Sequence, residues 1–426
     1  MATHQISDRA FSALATGGGG TAAVEELRAA QTSKHRLLVR LVVDESHQGG
    51  HAHAALAARA YASLADLEEH APEVVGRCLR HPPVGQWALD TCRAMLRGGG
   101  DPGRLAALAV AAAVRAGAAC SLKVPVRDHE LMLPSVGRLL VPDVASEVVE
   151  VTVEPTDGGA ELGVGRRTHR IDLLRDSPGW HVLHDVSGPL GVRLTIDDLD
   201  PYRWPSDDAD GRLTDLRRER WASCLREAWR ILVTWHPTVA EEVAAAISVL
   251  TPITAGAEAQ RSASARGMFG TIALSDPTDG LGLALILAHE LEHAKLNALT
   301  EVVELVRPDD GRRYYAPWRK DPRPLFGLLH GAYAHAGVAA FWRRHTEDPD
   351  LASRAQTEFA RWREAAHQVT GTLLDSGALT AEGTRFVGIL RDTLGRWRSE
   401  PVTAAASAQA RRESERHQEA WTRLNS

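Results

Sequence analysis

One apolar helix carrying two histidines constrains this chain more than any other feature. Residues 281–288 read L-G-L-A-L-I-L-A and run directly into His289-Glu290-Leu291-Glu292-His293. On a helix, His289 and His293 lie one turn apart on one face, so both imidazoles can reach a single ion. The apolar run before them places this helix in a core. Two histidines and two glutamates buried there are costly unless each finds a partner. Neutral imidazole suits Zn, Fe, Cu and Ni, so the pair specifies a metal without choosing it.

H-E-x-x-H is also the mark of zinc peptidases, whose intervening glutamate, here Glu290, activates water. The third ligand decides between readings. A metzincin requires a Gly and a further His; this chain has Leu296 and Leu299 at those positions. Gluzincin peptidases place a glutamate further along, where this chain reads Asp310-Gly311-Arg312-Arg313-Tyr314. Glu301 and Glu304 are too close to fold back, which leaves Asp309 and Asp310 as acidic candidates. Residues 327–335, G-L-L-H-G-A-Y-A-H, offer His330 and His335. These are five residues apart, about 140° around a helix, so one of the two can face the ion. Gly327 and Gly331 flank His330 and permit close helix approach, which favours it. Asp321 and Pro322 read as the start of that helix. Arg323 then lies on the His330 face, about 10 Å along the axis, with Arg319 nearby. A guanidinium there suits a bidentate grip on a carboxylate. The plainer alternative for either arginine is a surface ion pair.

Outside the motif, the chain divides by texture. Residues 1–118 carry apolar residues at three- and four-residue spacing and read as a helical region. The glycines at 17–20 have no following Lys-Ser/Thr and read as a turn, not a phosphate loop. Residues 119–203 show period-two runs (147–153, 168–173, 180–183, 192–196) separated by Gly, Pro and Asp, an antiparallel β-rich region. Asp197, Asp198 and Asp200 close it and read as a solvated, capping loop rather than a cation site. Residues 204–426 read as the mainly helical catalytic region, interrupted by a strand at 267–275. Asp276 and Pro277 then open the metal-binding helix. An exposed strand edge beside the metal can hold an extended peptide. The tail from about Ser399 reads as a surface helix. The expected class is α+β: mostly helical, with a middle antiparallel β region and a zincin-like strand plus H-E-x-x-H helix.

Net charge of −6 over 426 residues argues against a general nucleic-acid binder. Cys78, Cys92, Cys120 and Cys224 form no C-x-x-C pair, which argues against a cysteine zinc site or a disulfide scaffold. The N-terminus lacks the pattern of a signal peptide, and no apolar run is long enough to cross a bilayer. The expectation is a cytoplasmic protein without a membrane partner.

Several stretches together resemble a known family. They are H-E-L-E-H-A-K-L-N-A-L, Y-Y-A-P-W-R-K-D-P-R-P-L, G-L-L-H-G-A-Y-A-H and F-W-R-R. I-S-D-R-A-F-S-A-L-A near the start and D-D-L-D-P-Y-R in the middle join them. The chain resembles the HExxH-containing peptide-modification proteins, 2-oxoglutarate-dependent non-haem iron peptide β-hydroxylases of ribosomal-peptide natural-product pathways. The resemblance implies Fe(II) on His289, His293 and His330, with 2-oxoglutarate and O₂ as co-substrates. It implies Arg323 or Arg319 on the far carboxylate of 2-oxoglutarate. Glu290 then orients groups around the site instead of activating water. Tyr314, Tyr315 and Trp318 are candidate pocket walls. The implied partner is a ribosomal precursor peptide, and related domains fused to radical-SAM maturases add a maturase as a second partner. Two other readings stand beside it: a zinc peptidase using Glu290, and a non-catalytic peptide-binding partner of a maturase stabilised by its metal.

Overall fold

Six helices open the chain, as the apolar spacing requires. They are α1 (Asp8–Ala15), α2 (Gly20–Gln48), α3 (Ala54–His70), α4 (Pro72–Arg80), α5 (Pro82–Met95) and α6 (Arg104–Ala116). The computed structural model describes residues 4–255 and 260–425; residues 1–3 of the N-terminal stretch lie outside it. Pro72 and Pro82 sit in first turns, where a missing N–H costs nothing. Gly117, left-handed at φ 62°, ends α6.

Nine strands follow: β1 (Cys120–Pro125), β2 (Glu130–Leu133), β3 (Gly137–Leu140), β4 (Val148–Thr156), β5 (Gly159–Val164), β6 (Arg167–Asp172), β7 (Trp180–Val182), β8 (His184–Ser187) and β9 (Arg193–Ile196). Two antiparallel sheets, β1-β4-β5-β6 and β2-β3-β7, form as the alternation predicts. Val151, Val153, Leu162 and Ile171 point inward beneath α6, which is buried from Arg104 to Val114.

β8 and β9 leave this region. With β10 (Val249–Pro252), β11 (Ser262–Ala263) and β12 (Thr271–Leu274) they form a third sheet, ordered β11-β12-β10-β9-β8. Its three inner strands are parallel; β8 and β11 run antiparallel along the two edges. Three expectations change here. Residues 192–196 belong to this mixed sheet. β10 went unread because V-L-T-P is buried at every position and has no alternation to betray it. The strand expected at 267–275 is the four-residue β12, which is interior; the exposed edge belongs to β11.

Seven helices among the described residues complete the α+β fold. α7 (Asp215–Trp235) and α8 (Pro237–Ala246) link β9 to β10. α9 (Gly280–Thr300), α10 (Leu325–Arg344), α11 (Ala352–Asp375), α12 (Ala381–Arg398) and α13 (Ala404–Asn425) follow β12. The last is the largely exposed tail helix expected beyond Ser399. α9 begins later than expected. Its cap is Asp279, which accepts from the Gly282 N–H, whereas Asp276 accepts from Arg217 and Trp221. No helix of the described residues is long and apolar enough to cross a membrane.

Two hydrophobic cores result. One gathers β9, β10, β12 and α7–α12; the other gathers α3–α6 and β1–β7. α2 spans both, with Val24 and Leu27 in the first and Val39 and Val42 in the second. The glycine turn at 17–20 locks α9 into the first core. Lys295 Nζ, fully buried, meets Glu242 and Glu292 at 2.8 Å each and the Gly18 carbonyl at 2.6 Å. Gly20 N–H donates to Glu242.

Candidate metal centre

α9 and α10 lie side by side and bring four imidazoles into one row. The ring centres of His289 and His293 are 4.8 Å apart. His335 stands edge-on to His289 at 5.3 Å, and His330 stacks on His293 at 5.8 Å. The order is therefore His335, His289, His293, His330. Burial depresses the basicity of all four. His330 is pushed down to about 4 and His335 to about 3; His289 and His293 also lie below the usual imidazole range. Neighbouring imidazoles push His293 further down. All four are neutral near pH 7, the form that ligates metal.

Hydrogen bonding separates the two candidates for the third ligand. His335 Nδ1 donates to the Gly331 carbonyl at 2.8 Å, and its ring stacks on Trp318 and meets Trp362 at a tilt. His330 Nε2 is buried and has no hydrogen-bond partner. The Ala334 carbonyl faces the His289 ring. A main-chain carbonyl in this position is the usual device for orienting a metal-binding histidine. A cleft of about 290 Å³ opens on the His289 and His335 end of the row, walled by Leu285, Trp342 and Trp362.

The glycines of α10 have other uses than the one expected. A Cβ at Gly331 would lie 2.3 Å from the Trp318 indole, and one at Gly327 would lie 3.2 Å from Arg323 Nε. Close approach of α9 to α10 instead depends on Gly337, where a Cβ would lie 2.6 Å from Glu292. Trp318 thus joins the site. Tyr315 does not, since its hydroxyl bonds to His417 of α13.

Glu290 is buried and held on both oxygens. Ser262 Oγ donates to Oε1 and Ser264 Oγ to Oε2, both at 2.8 Å. Ser262 opens β11 and Ser264 directly follows it, and both hydroxyls reach the same carboxylate. This pair was legible as S-A-S and was missed.

The two expected arginines lie elsewhere than helical spacing placed them. α10 begins at Leu325, not at Asp321 and Pro322, because Arg323 pairs main chain to main chain with Tyr314. Arg323 therefore has no position on the His330 helix face. Arg323 and Arg319 share one surface carboxylate, Asp321, at 3.0 and 2.9 Å. The arginine whose charge acts on His330 is Arg266, which follows β11. Its guanidinium lies over the Phe326 ring at 5.6 Å, and Phe326 packs on His330. Among the described residues Arg266 has no ion-pair partner.

Asp197, Asp198 and Asp200 correct another expectation: they are buried, not solvated. Arg104 NH2 donates to both oxygens of Asp200 at 2.8 and 2.7 Å. Asp197 accepts from the Leu199 and Asp200 N–H groups and faces His81 Nε2 at 3.2 Å. Asp198 accepts from Arg212 and from Leu213 N–H. Among the described residues, His81, Asp197 and Asp200 form the three-donor set whose ligand atoms all lie within 4.8 Å of one another; no three of the four histidines do.

No protein-family model matches this chain, and no curated protein matches it.

Proposed function

We propose that the chain is a non-haem Fe(II)/2-oxoglutarate-dependent oxygenase that hydroxylates a β-carbon of a residue in a ribosomally made peptide. The observation that favours this over the peptidase reading is the state of Glu290. A water-activating base needs a free carboxylate oxygen aimed at the water. Both oxygens of Glu290 accept serine hydroxyls.

The donor set fits the metal in chemistry. His289, His293 and His330 would hold Fe(II) through neutral imidazoles, and the unpartnered Nε2 of buried His330 is the atom that lacks a partner without it. Bound iron, with 2-oxoglutarate and O₂, supplies an oxidant strong enough to take hydrogen from an unactivated carbon. The rest falls to the chain. Ala334 orients His289, and Ser262 and Ser264 hold Glu290 beside the β11 edge. That edge offers main-chain groups to an extended peptide. Arg266 replaces Arg323 and Arg319 as the partner for the far carboxylate of 2-oxoglutarate, because its guanidinium has no competing carboxylate among the described residues.

The test is anaerobic Fe(II) loading followed by 2-oxoglutarate, watching for the metal-to-ligand charge-transfer band. The band should appear, should vanish in His289→Ala, and should need more 2-oxoglutarate in Arg266→Ala but not in Arg319→Ala. Well-loaded protein with no band would sink the proposal. The β11 edge would serve a zinc peptidase equally, so peptide cleavage without O₂ is measured in parallel. Metal uptake without either turnover would point to the non-catalytic partner of a maturase.

A further inference from the structure

The histidine row has two ends, and they differ. At the His330 end stand Phe326 and the guanidinium of Arg266. The other end opens into the cleft of about 290 Å³ that touches His289 and His335. Pockets for whole drug-sized ligands span about 300–1,000 Å³, so this one suits a single large side chain.

Three helices each turn one face to the cleft. Leu285 and Ile286 of α9 lie one turn before His289. Val338 and Trp342 of α10 follow His335 by one and two turns, and Trp362 comes from α11. Leu285 and Ile286 are half-buried, whereas every other apolar side chain of α9 from Leu283 to Leu299 is buried. Apolar surface is thus left uncovered beside a proposed ligand, on the side the histidines face.

The polar groups of the cleft give a charged side chain little to hold. Trp362 Nε1 donates to Glu358 Oε2 at 2.7 Å, which fixes the indole as a wall. His335 spends its Nδ1–H on the Gly331 carbonyl, so its neutral ring has no second N–H for a ligand. Arg354 is exposed and lies over the Trp342 ring at 4.7 Å. It stands one turn before Glu358 on α11, and the two charges oppose each other at the mouth. A carboxylate or ammonium entering the cleft loses water and finds no partner at the histidine floor. An apolar side chain gains five apolar walls and leaves nothing unpaired.

We propose that this cleft receives the side chain of the residue to be modified, and that this side chain is large and apolar. Leu285, Ile286 and Trp362 then set the specificity. The proposal deepens the oxygenase reading and rests on it for the reaction; the binding of the side chain needs no metal.

The test is saturation-transfer NMR of the metal-free full chain with capped Gly-Gly-X-Gly-Gly peptides, X being Phe, Leu, Glu, Lys or Gly. Saturation should pass to the X side chain of the Phe and Leu peptides. These should bind about tenfold or more tighter than the other three. Leu285→Lys should weaken Phe-peptide binding about tenfold with an unchanged circular-dichroism spectrum. Ile286→Lys, on the same half-buried face, repeats the test if Leu285→Lys does not fold. Arg266→Ala, at the opposite end of the row, should leave this binding unchanged. Equal binding of all the peptides, no binding of the Phe and Leu peptides, or a preference for Glu or Lys would each overturn the proposal. So would Phe-peptide binding that survives in a folded Lys variant, or that is lost in Arg266→Ala. A charge-transfer band without selective peptide binding removes the cleft proposal alone; selective binding without the band removes the oxygenase alone.

Discussion

Two buried polar clusters sit in this molecule, and they are built on opposite principles. At the junction of the cores, Asp197, Asp198 and Asp200 are matched by Arg104, Arg212, His81 and several main-chain N–H groups. In the first core, His289, His293, His330 and His335 gather with no carboxylate of the described residues bonded to any ring. The glutamates between them are already committed, Glu290 to serines and Glu292 to Lys295. In the first cluster Arg104 and Arg212 balance two of the three carboxylates, and Asp197 faces His81 Nε2 at 3.2 Å. The second is a set of neutral donors with a deficit of positive charge. The ligand atoms of His81, Asp197 and Asp200 converge more tightly than those of any three of the four histidines, yet Arg104 already faces the Asp200 carboxylate.

The comparison breaks most sharply at Arg104. Arg104→Met leaves Asp200 buried without its cation and should cost about 3–5 kcal/mol in urea unfolding. Metal uptake by the histidine row should not change. If the unaltered chain instead bound a metal that His81→Ala released, the charge-matched reading of that cluster would fail.

The opposite cluster should behave in reverse. Ferrous or zinc ion at a hundred times its dissociation constant should stabilise the protein by about 2.7 kcal/mol. His293→Ala should abolish that gain and leave the metal-free protein nearly as stable as before. Thermal unfolding with and without metal separates the two outcomes; a gain that survives His293→Ala places the ion elsewhere.

A third prediction concerns imidazoles buried without any metal role. His236 faces His345 at 3.0 Å, stacks on Phe341, and burial pushes its pKa down to about 3. The unfolded chain binds a proton near pH 6.5 and the folded chain does not. Stability from this group is therefore complete above pH 6.5 and is lost as pH falls from there toward 3. Between pH 6.5 and 5 the loss is about 2 kcal/mol. His236→Gln should flatten that part of the stability–pH curve, and an unchanged slope would show that His236 stays neutral in both states.

The sequence made some of this legible and hid the rest for physical reasons. Helical spacing located α2, α3, α9 and α10, and alternation located the two antiparallel sheets, because both signals are local. The pairing of His289 and His293 follows from one turn of helix, and their approach to His330 and His335 from two small-residue, apolar helices. Arg323 was misplaced because Tyr314 captures its main chain and delays α10, an interaction no periodicity encodes. Arg266 stayed hidden because it follows a two-residue strand. The burial of Asp197 and Asp200 depends on Arg104, nearly a hundred residues earlier.

The smallest effect bears on what Glu290 does. Each serine bond to its carboxylate is charge-assisted, so Ser264→Ala should cost about 1.5 kcal/mol. It also frees one oxygen of Glu290 beside the histidine row. If Glu290 is a positioning group, Ser264→Ala should lower coupled turnover, raise uncoupled 2-oxoglutarate consumption, and create no hydrolysis of peptide. If it is a base held in reserve, the freed carboxylate should confer or increase peptide cleavage with zinc bound. Product mass decides: a gain of one oxygen keeps the clamp as a positioning device, and a gain of water with chain scission returns this helix to the peptidases.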